Sequence, residues 1–175
     1  MQFSKDSFYM ALHDRLAVVN PLRTVTLDGA TRPAVVVAEN EPTGLTEAQR
    51  DVFYLWWGSA VPVVGLSDGK RPLLALEAVI FYHTVGTADD ASDRGRTLTE
   101  LDFELLQICS PANTPKQNFT VTPTLSLGTN VVWTRPEFDA LAPRDVEASR
   151  SGAAPNRVWR KAKLTVFCFP EVDVP

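Results

Sequence analysis

Few side chains in this sequence are suited to catalysis, and they are far apart along the chain. The two histidines are His13, which has Asp14 beside it, and His83. A Ser-His-Asp triad can occur in any chain order, so sequence order alone does not exclude one. The serine that follows Gly58, however, lacks the GxSxG pattern of a nucleophile elbow. The sequence therefore predicts no catalytic residues, and we expect a protein that is not an enzyme.

An acidic loop offers the nearest match to a metal site. Three aspartates between residues 89 and 93 precede Glu100, which stands at the twelfth position when Asp89 is the first, as in an EF-hand loop. Ala91 occupies the third position, where an oxygen ligand belongs, and Arg94 stands where a glycine is required. The pattern is therefore typical of a solvated loop that leads into a helix.

The cysteines and a glycine-containing turn also favour structural roles. Cys109 and Cys168 each fall within an apolar periodic stretch, and neither has a CxxC partner or a histidine cluster. Their placement predicts two buried thiols rather than a disulfide or a zinc site. The segment Gly65–Lys70 lacks the spacing of a phosphate-binding loop. We expect neither a metal nor a cofactor.

The charge of the chain limits the partners that it can bind. Its net charge is −4, which argues against a dedicated nucleic-acid or membrane binder. The most basic segment includes Trp159, and its basic residues are Arg150, Arg157, Arg160, Lys161 and Lys163. Three interpretations of this segment are open: a solvated sheet edge that discourages strand pairing, a contact with an acidic protein surface, and a nucleic-acid contact.

Aromatic residues are concentrated in two predicted strands. Trp56 and Trp57 are adjacent, so in a strand they point to opposite faces and cannot both fill one core. Phe167 and Phe169 likewise lie opposite the face that carries Leu164. Either helices cover both sides of the sheet, or one side meets another subunit. Aromatic side chains on a second face are typical of an oligomer interface.

A strand, a loop and a helix form the predicted core. Residues from Leu73 to His83 alternate with period two, which indicates a strand. Apolar residues from Leu98 to Cys109 recur at spacings of three and four, which indicates one helical face. Thr97 and Glu100 have the spacing of a capping box, so Thr97 is the predicted N-cap. The two apolar sides can bury each other.

The remaining elements follow from periodicity and turn residues. In chain order they are a helix from Phe8 to Val19 with Ser4 as its N-cap, a strand at 24–27 with a turn at Asp28-Gly29, an apolar strand at 34–38, an aromatic strand at 52–57 broken by 58–62, and strands at 125–134 and 158–169.

These elements predict a single α+β domain over residues 1–175. We expect a mostly antiparallel sheet flanked by two amphipathic helices, with long loops near 39–50, 111–124 and 139–157. No stretch approaches the ~18 apolar residues of a membrane span, and the first ten residues do not read as a leader. We therefore expect a protein of the cytoplasm, or of a particle assembled there.

The order of these elements resembles a known family. The segments that carry the likeness are the helix Phe8–Val19, the run Arg32-Pro33-Ala34-Val35-Val36-Val37, the strand Leu73–Thr84, the helix around Leu101–Leu105 and the strand Arg160–Phe169. This arrangement is similar to that of the phage tail terminator (tail completion) proteins. The connections 111–125 and 143–157 are longer than a compact terminator needs, and they could serve as arms that contact the neck.

The resemblance implies an assembly role. Terminators of this family form a ring that stops growth of the tail tube and presents a surface to the neck. It implies a homo-oligomeric ring of about six copies, located at the tail–neck junction of a virion and assembled in the host cytoplasm. The implied partners are the tail tube protein and the neck or connector protein. DNA would only pass through the lumen, and no membrane would be involved.

We expect the contacts between subunits to use two sets of residues. The aromatic set is Trp56, Trp57, Phe167 and Phe169. The charged set pairs an acidic loop with the basic segment of a neighbouring copy, and its members are Glu39, Glu41, Glu47, Arg157, Arg160, Lys161 and Lys163.

Other functions remain open from the sequence. The same element order suits another head–tail connector or neck protein, or the cap of an injection device. A small ligand-binding module or enzyme would instead need a deep pocket with convergent polar groups. A nucleic-acid-binding module is disfavoured by the acidic balance.

Overall fold

The computed structural model describes residues 1–39, 49–69, 71–88, 92–139 and 157–171. Most of the predicted loops 39–50 and 139–157, and the aspartates at 89 and 90, lie outside the described residues. Two helices and nine strands form the described part of the chain. Their bounds are α1 Gln2–Val19, β1 Thr24–Leu27, β2 Ala30–Pro33, β3 Val35–Val37, β4 Phe53–Ser67, β5 Pro72–Thr84, α2 Arg94–Ile108, β6 Asn113–Asn118, β7 Leu125–Trp133, β8 Glu137–Phe138 and β9 Val158–Cys168.

The strands form a mostly antiparallel, strongly curled sheet, which confirms the predicted α+β fold. The large sheet has seven strands in the order β3-β4-β5-β9-β7-β6, and β8 also pairs with β9. Only β3 and β4 are parallel within it. β1 and β2 make a separate hairpin, whose turn residues Asp28 and Gly29 have φ of 50° and 80°. Those angles are the ones a two-residue hairpin turn requires, as the sequence predicted.

Both helices lie on the same face of the large sheet. Trp57 of β4 pairs with Ala78 of β5, and its ring packs against Phe8 of α1 with ring centroids 5.6 Å apart. Tyr82, four residues after Ala78 and so on the same side of β5, donates a hydrogen bond to Asp102 of α2. One face is therefore covered by α1 and α2, and we call the opposite one the outer face. Of the two arrangements that the aromatic pattern left open, the first does not occur among the described helices, which both lie on one face.

The core fills the space between the helices and the covered face. Alternate residues of β5 and β9 point into it, in agreement with the predicted period-two pattern. The ring of Phe8 is central, because it packs edge to face on both Trp57 and Trp133. Cys109 and Cys168 are buried free thiols, as predicted. The main buried side chains of the helices are Phe8, Leu12, Leu16, Leu98, Leu101, Leu105 and Ile108.

The predicted N-caps of both helices are wrong. α1 begins at Gln2, so Ser4 lies inside the helix and is buried. α2 begins at Arg94, three residues before Thr97, and its N-cap is Asp93. The carboxylate of Asp93 makes no cap bond, because it accepts hydrogen bonds from the backbone N–H groups of Thr87 and Ala88. A hydrogen bond from the hydroxyl of Thr87, followed by these backbone bonds, lowers the pKa of Asp93 to about 2, and together the bonds close the loop before the helix.

The predicted break after the aromatic strand is also wrong. β4 continues from Phe53 to Ser67, and residues 58–62 are accommodated by a bulge between Trp57 and Ala60. Gly58 sits at this bulge against the side chain of Glu77. A Cβ at Gly58 would lie 3.0 Å from Glu77 Oε1 and 3.1 Å from Glu77 Cβ. The glycine therefore permits a close approach rather than ending the strand.

The predicted loop 111–124 contains β6. This strand pairs with β7, although its sequence shows no apolar alternation. Its other edge is covered by α1, because the backbone N–H of Gln117 donates to Ser7 Oγ at 2.9 Å. Lys116 is buried, and its Nζ donates to the backbone carbonyl of Phe169 at 2.9 Å. Tertiary contacts, rather than local pattern, therefore specify β6.

Candidate assembly surface

The basic segment is covered on both sides only in part. β9 pairs with β5 along its whole length, and on its other side it pairs with β8 at Ala162 and Lys163 and with β7 at Val166 and Phe167. Among the described strands, none pairs with Val158–Arg160 on that side.

Arg160 points to the covered face, where its Nη2 lies 2.9 Å from Asp102 Oδ2. Burial and the hydrogen bond to Asp102 raise the pKa of Tyr82, so its hydroxyl stays protonated and donates to the same carboxylate. Arg160 is thus part of an internal network, and a contact with a neighbour would have to break it.

Lys161 and Lys163 lie on the outer face, half exposed. Their Nζ atoms are 3.7 and 3.9 Å from Asp139 Oδ2, so one carboxylate offsets part of their charge. Arg157 precedes β9 and is partly buried. Of the predicted acidic loop, Glu39 is exposed beyond β3, whereas Glu41 and Glu47 lie outside the described residues. The proposed charge contact between copies therefore stays a prediction.

The two tryptophans lie on opposite faces, as predicted. Trp57 is in the core beneath α1, so it is not available to a partner. Trp56 is 52% exposed on the outer face, where it pairs with Val79 of β5, which in turn pairs with Lys163. Phe167 lies on the outer-face side of β9, and Phe169 follows the last residue of that strand. Both side chains are partly buried. Trp56 is the one aromatic residue of the predicted set that is prominently exposed.

The histidines do not meet in a site. His13 is on α1, with its Nδ1 3.2 Å from Asp14 Oδ1. His83 is the penultimate residue of β5 and is 1% exposed, and its ring packs at a tilt against Trp159 with ring centroids 4.8 Å apart. Burial, followed by repulsion from Arg157, lowers the pKa of His83 to about 4, so the ring is neutral at pH 7. Across the described ranges, no three histidine, cysteine or acidic side chains come together in a metal-binding group.

Two hairpins project from the same end of the large sheet. The last residue pair between β5 and β9 is Leu74 with Cys168, and the β4–β5 hairpin continues past it. Val132 of β7 pairs with Phe167, so the earlier residues of β7 also lie beyond the end of β9. We call residues 61–69 and 71–74 the first arm, and residues 114–131 the second arm.

The arms expose large apolar side chains. Val64 is 98% exposed at the end of β4, and it is the most exposed residue of this kind in the described chain. The other exposed large apolar residues of the arms are Val61, Leu66, Val121 and Leu125. Exposed large apolar side chains such as these are found at protein–protein contacts.

The arms are also almost free of charge. No charged residue occurs from Phe53 to Ser67 or from Gln117 to Thr134. At the described tip of the first arm, Asp68 and Arg71 form an ion pair with each other. Charged residues make up 22% of the chain, so two uncharged segments of this length mark a distinct surface. Depletion of charge is typical of the centre of protein interfaces.

The free edge of β4 belongs to this surface. β3 pairs only with Phe53, Tyr54 and Leu55, and no other described strand covers that edge of β4 farther along. Pro62 pairs with Leu74 of β5. At this point of the ladder the backbone nitrogen of Pro62 points away from β5, towards the free edge. Proline has no N–H, so this edge is locally unsuited to adding a further strand. Contacts of the first arm are therefore expected to use side chains rather than a backbone ladder.

Sequence periodicity missed both arms. Gly58 and Pro62 suggested a break in the strand, and the polar stretch 111–124 suggested a loop. The signal that could have identified the arms is the absence of charge across 53–67 and 117–134.

No model of a known protein family matches the chain, and no curated protein matches it at a significant level. Neither described helix is long and apolar enough to cross a membrane.

Proposed function

We propose that this protein is a structural subunit of a virus tail, resembling a tail terminator, and that copies of it form a ring that caps the tail tube and joins it to the neck. The observation that carries the proposal is the pair of apolar, nearly uncharged arms at one end of the sheet. A subunit with such arms buries them by assembling with other protein chains.

The chemistry of the arms favours a protein partner over nucleic acid. Binding to phosphates requires Lys and Arg, and the segments 53–67 and 117–134 have none. Of the basic residues of the arms that the structure describes, Arg71 is paired with Asp68 and Lys116 is buried with its Nζ bound to the carbonyl of Phe169. A net charge of −4 suits a ring through which DNA passes, because a lumen without excess positive charge does not retain phosphates.

The mechanism would be steric. When each subunit contacts the next through two different surfaces, the contacts close into a ring if the rotation per subunit divides a full turn, and they otherwise extend as a filament. In a closed ring, both contact surfaces of every subunit are buried against its neighbours, so no further subunit can add to the ring. If one ring face matches the last ring of tube protein and the other does not, the tube stops growing there.

The test is the assembly state of the purified 19.3 kDa chain. Size-exclusion chromatography with light scattering, over a series of concentrations and with or without the tube protein, should show a species of about six copies. Negative-stain microscopy should show it as a ring. Val64→Asp places a charge on the most exposed arm residue and should abolish the ring, whereas Thr26→Asp on the small hairpin should not. A chain that stays monomeric under all these conditions, including with tube protein, overturns the proposal.

A further inference from the structure

The segment that follows β9 begins where the two arms have no described strand between them. In the large sheet, β9 lies between β5 of the first arm and β7 of the second, and it ends at Cys168. Its last pair with β5 is Cys168 with Leu74, and its last pair with β7 is Phe167 with Val132. Beyond these pairs, the backbone ladders of the described strands do not fix one arm relative to the other.

The carbonyls of β9 alternate between its two neighbours. The carbonyl of Thr165 accepts a hydrogen bond at 3.0 Å from the N–H of Thr134, the residue that follows β7, so the odd-numbered residues of β9 turn their carbonyls away from β5. Successive carbonyls of an extended strand point to opposite sides. If this alternation continues past the end of β9, the carbonyl of Phe169 points towards the second arm and that of Pro170 points towards the first arm.

Each arm directs one basic side chain to these two carbonyls. Lys116 of the second arm is 2% exposed, and its Nζ donates to the carbonyl of Phe169 at 2.9 Å. Arg71 of the first arm donates from Nη1 to the carbonyl of Pro170 at 3.2 Å. Two consecutive carbonyls therefore bind two different arms, each on the side that the alternation along β9 requires.

The sequence explains why side chains make these bonds. In the register of β5 and β9, Pro72 would stand opposite Pro170. Proline has no N–H, so neither residue can donate to the opposite strand and the backbone ladder cannot continue there. Arg71 is the neighbour of Pro72 in the chain, and its guanidinium supplies the missing donor. Asp68 orients that guanidinium, because it accepts a hydrogen bond from Arg71 Nε at 2.8 Å.

We infer that residues 169–170 are a clasp that holds the two arms at one relative position. The side chains of Arg71 and Lys116 take the place of the backbone N–H groups that join neighbouring strands farther back in the sheet. The arms therefore keep one arrangement before any partner binds, and a surface that is already ordered loses less conformational freedom on binding. The clasp is a device within one chain, so it does not depend on the proposed function.

Spin labels on the two arms measure their relative position directly. Val64→Cys and Val121→Cys place one label on each arm, at side chains that are 98% and 42% exposed, whereas the native Cys109 and Cys168 are buried. Pulsed electron paramagnetic resonance gives the distribution of distances between the two labels. An excess of unlabelled chain ensures that only labels within one copy contribute. The doubly labelled chain with an intact clasp should give one narrow distribution.

Lys116→Met and Arg71→Met each remove one bond of the clasp, and each should broaden this distribution and shift its mean. Two controls should keep it narrow: Lys161→Met changes a half-exposed lysine of the outer face, and Asp68→Asn removes the ion pair at the tip of the first arm but not the bond from Arg71 to Pro170. Circular dichroism identifies the variants that fold. The Arg71 side chain is 28% exposed, so Arg71→Met tests the clasp even if Lys116→Met does not fold. An unchanged distribution in either folded clasp variant, or equal broadening in the controls, overturns the inference.

Discussion

Arg160 Nη2 lies 2.9 Å from Asp102 Oδ2, and this ion pair ties the centre of α2 to the beginning of β9. The hydroxyl of Tyr82 donates to the same carboxylate, so one acidic group of the helix binds two strands at once. Sequence inspection assigned Arg160 to a surface with its basic neighbours, because the register of β9 does not by itself reveal which residue has an acidic partner across the core. In the structure, Arg160 belongs to this internal network, whereas Lys161 and Lys163 lie on the outer face.

Asp102→Ala should destabilise the fold. The substitution leaves the guanidinium of Arg160, whose side chain is 22% exposed, without its carboxylate, and leaves the buried Tyr82 hydroxyl without an acceptor. We expect a loss of about 2 kcal/mol in the free energy of unfolding, measured by urea denaturation followed by fluorescence.

Charge reversal distinguishes the structural arginine from the surface lysine. Arg160→Glu places a second carboxylate beside that of Asp102, and the repulsion should lower the urea midpoint of unfolding. Lys161→Glu, next in sequence but on the outer face, should leave that midpoint almost unchanged. Equal destabilisation by the two reversals would contradict the assignment of Arg160 to the internal network.

Arg15 should contribute measurably to the packing of α1 on α2. Its Nη1 donates to the backbone carbonyls of Ile108 and Ser110, both at 2.8 Å, and its guanidinium lies 5.0 Å from the centre of the Trp133 ring. Arg15→Leu removes the group that donates to the two carbonyls at the end of α2, and it removes the cation beside the Trp133 ring. We expect a loss of roughly 1–3 kcal/mol in the free energy of unfolding. Asp14→Ala, on the exposed side of the same helix turn, is the matched control, and an equal loss there would argue against this role.

The sequence predicted the parts of the fold in which a local pattern and a buried face coincide. Along β9, Leu164 and Val166 are buried and Lys161 and Lys163 are exposed, so period-two alternation located both faces. β6 has no such pattern, because pairing with β7 and the hydrogen bond to Ser7 create it. Long-range contacts of that kind have no local signature.

The candidate surface was predictable only in part, for a similar reason. The adjacent tryptophans had to lie on opposite faces, and Trp56 is indeed exposed whereas Trp57 is buried. The exposure of Val64 depends instead on register: β9 ends opposite Leu74 of β5, and β3 pairs with β4 only as far as Leu55, so the β4–β5 hairpin extends past its described neighbours. That register is a tertiary property, which the alternation within each strand does not encode.

His83 should make the stability of the fold depend on pH. The pKa of His83 is about 4 in the folded chain and about 6.5 in an unfolded chain. Between these values the unfolded state binds more protons, so the free energy of unfolding decreases as the pH falls from about 6.5 to about 4. We expect the His83 contribution to this decrease to be on the order of 2 kcal/mol.

The pH effect is isolated by comparing variants in urea denaturation at several pH values. His83→Gln should flatten the dependence of the free energy of unfolding on pH across this window. Parallel curves for the unchanged chain and His83→Gln would show that other groups, such as the carboxylates, account for the whole dependence.

Pro62 should protect the free edge of β4 against strand addition. Pro62→Val restores an N–H on an edge that no described strand covers beyond Leu55, and it raises the β-propensity of an uncharged segment. Fibrillar aggregates should then form at concentrations at which the unchanged chain stays discrete, as measured by thioflavin T fluorescence and electron microscopy. Pro62→Lys restores the same N–H but adds a charge to the edge, and it should not form fibrils. Discrete assemblies from Pro62→Val would mean that the bulge at Gly58, rather than the proline, keeps the edge from pairing.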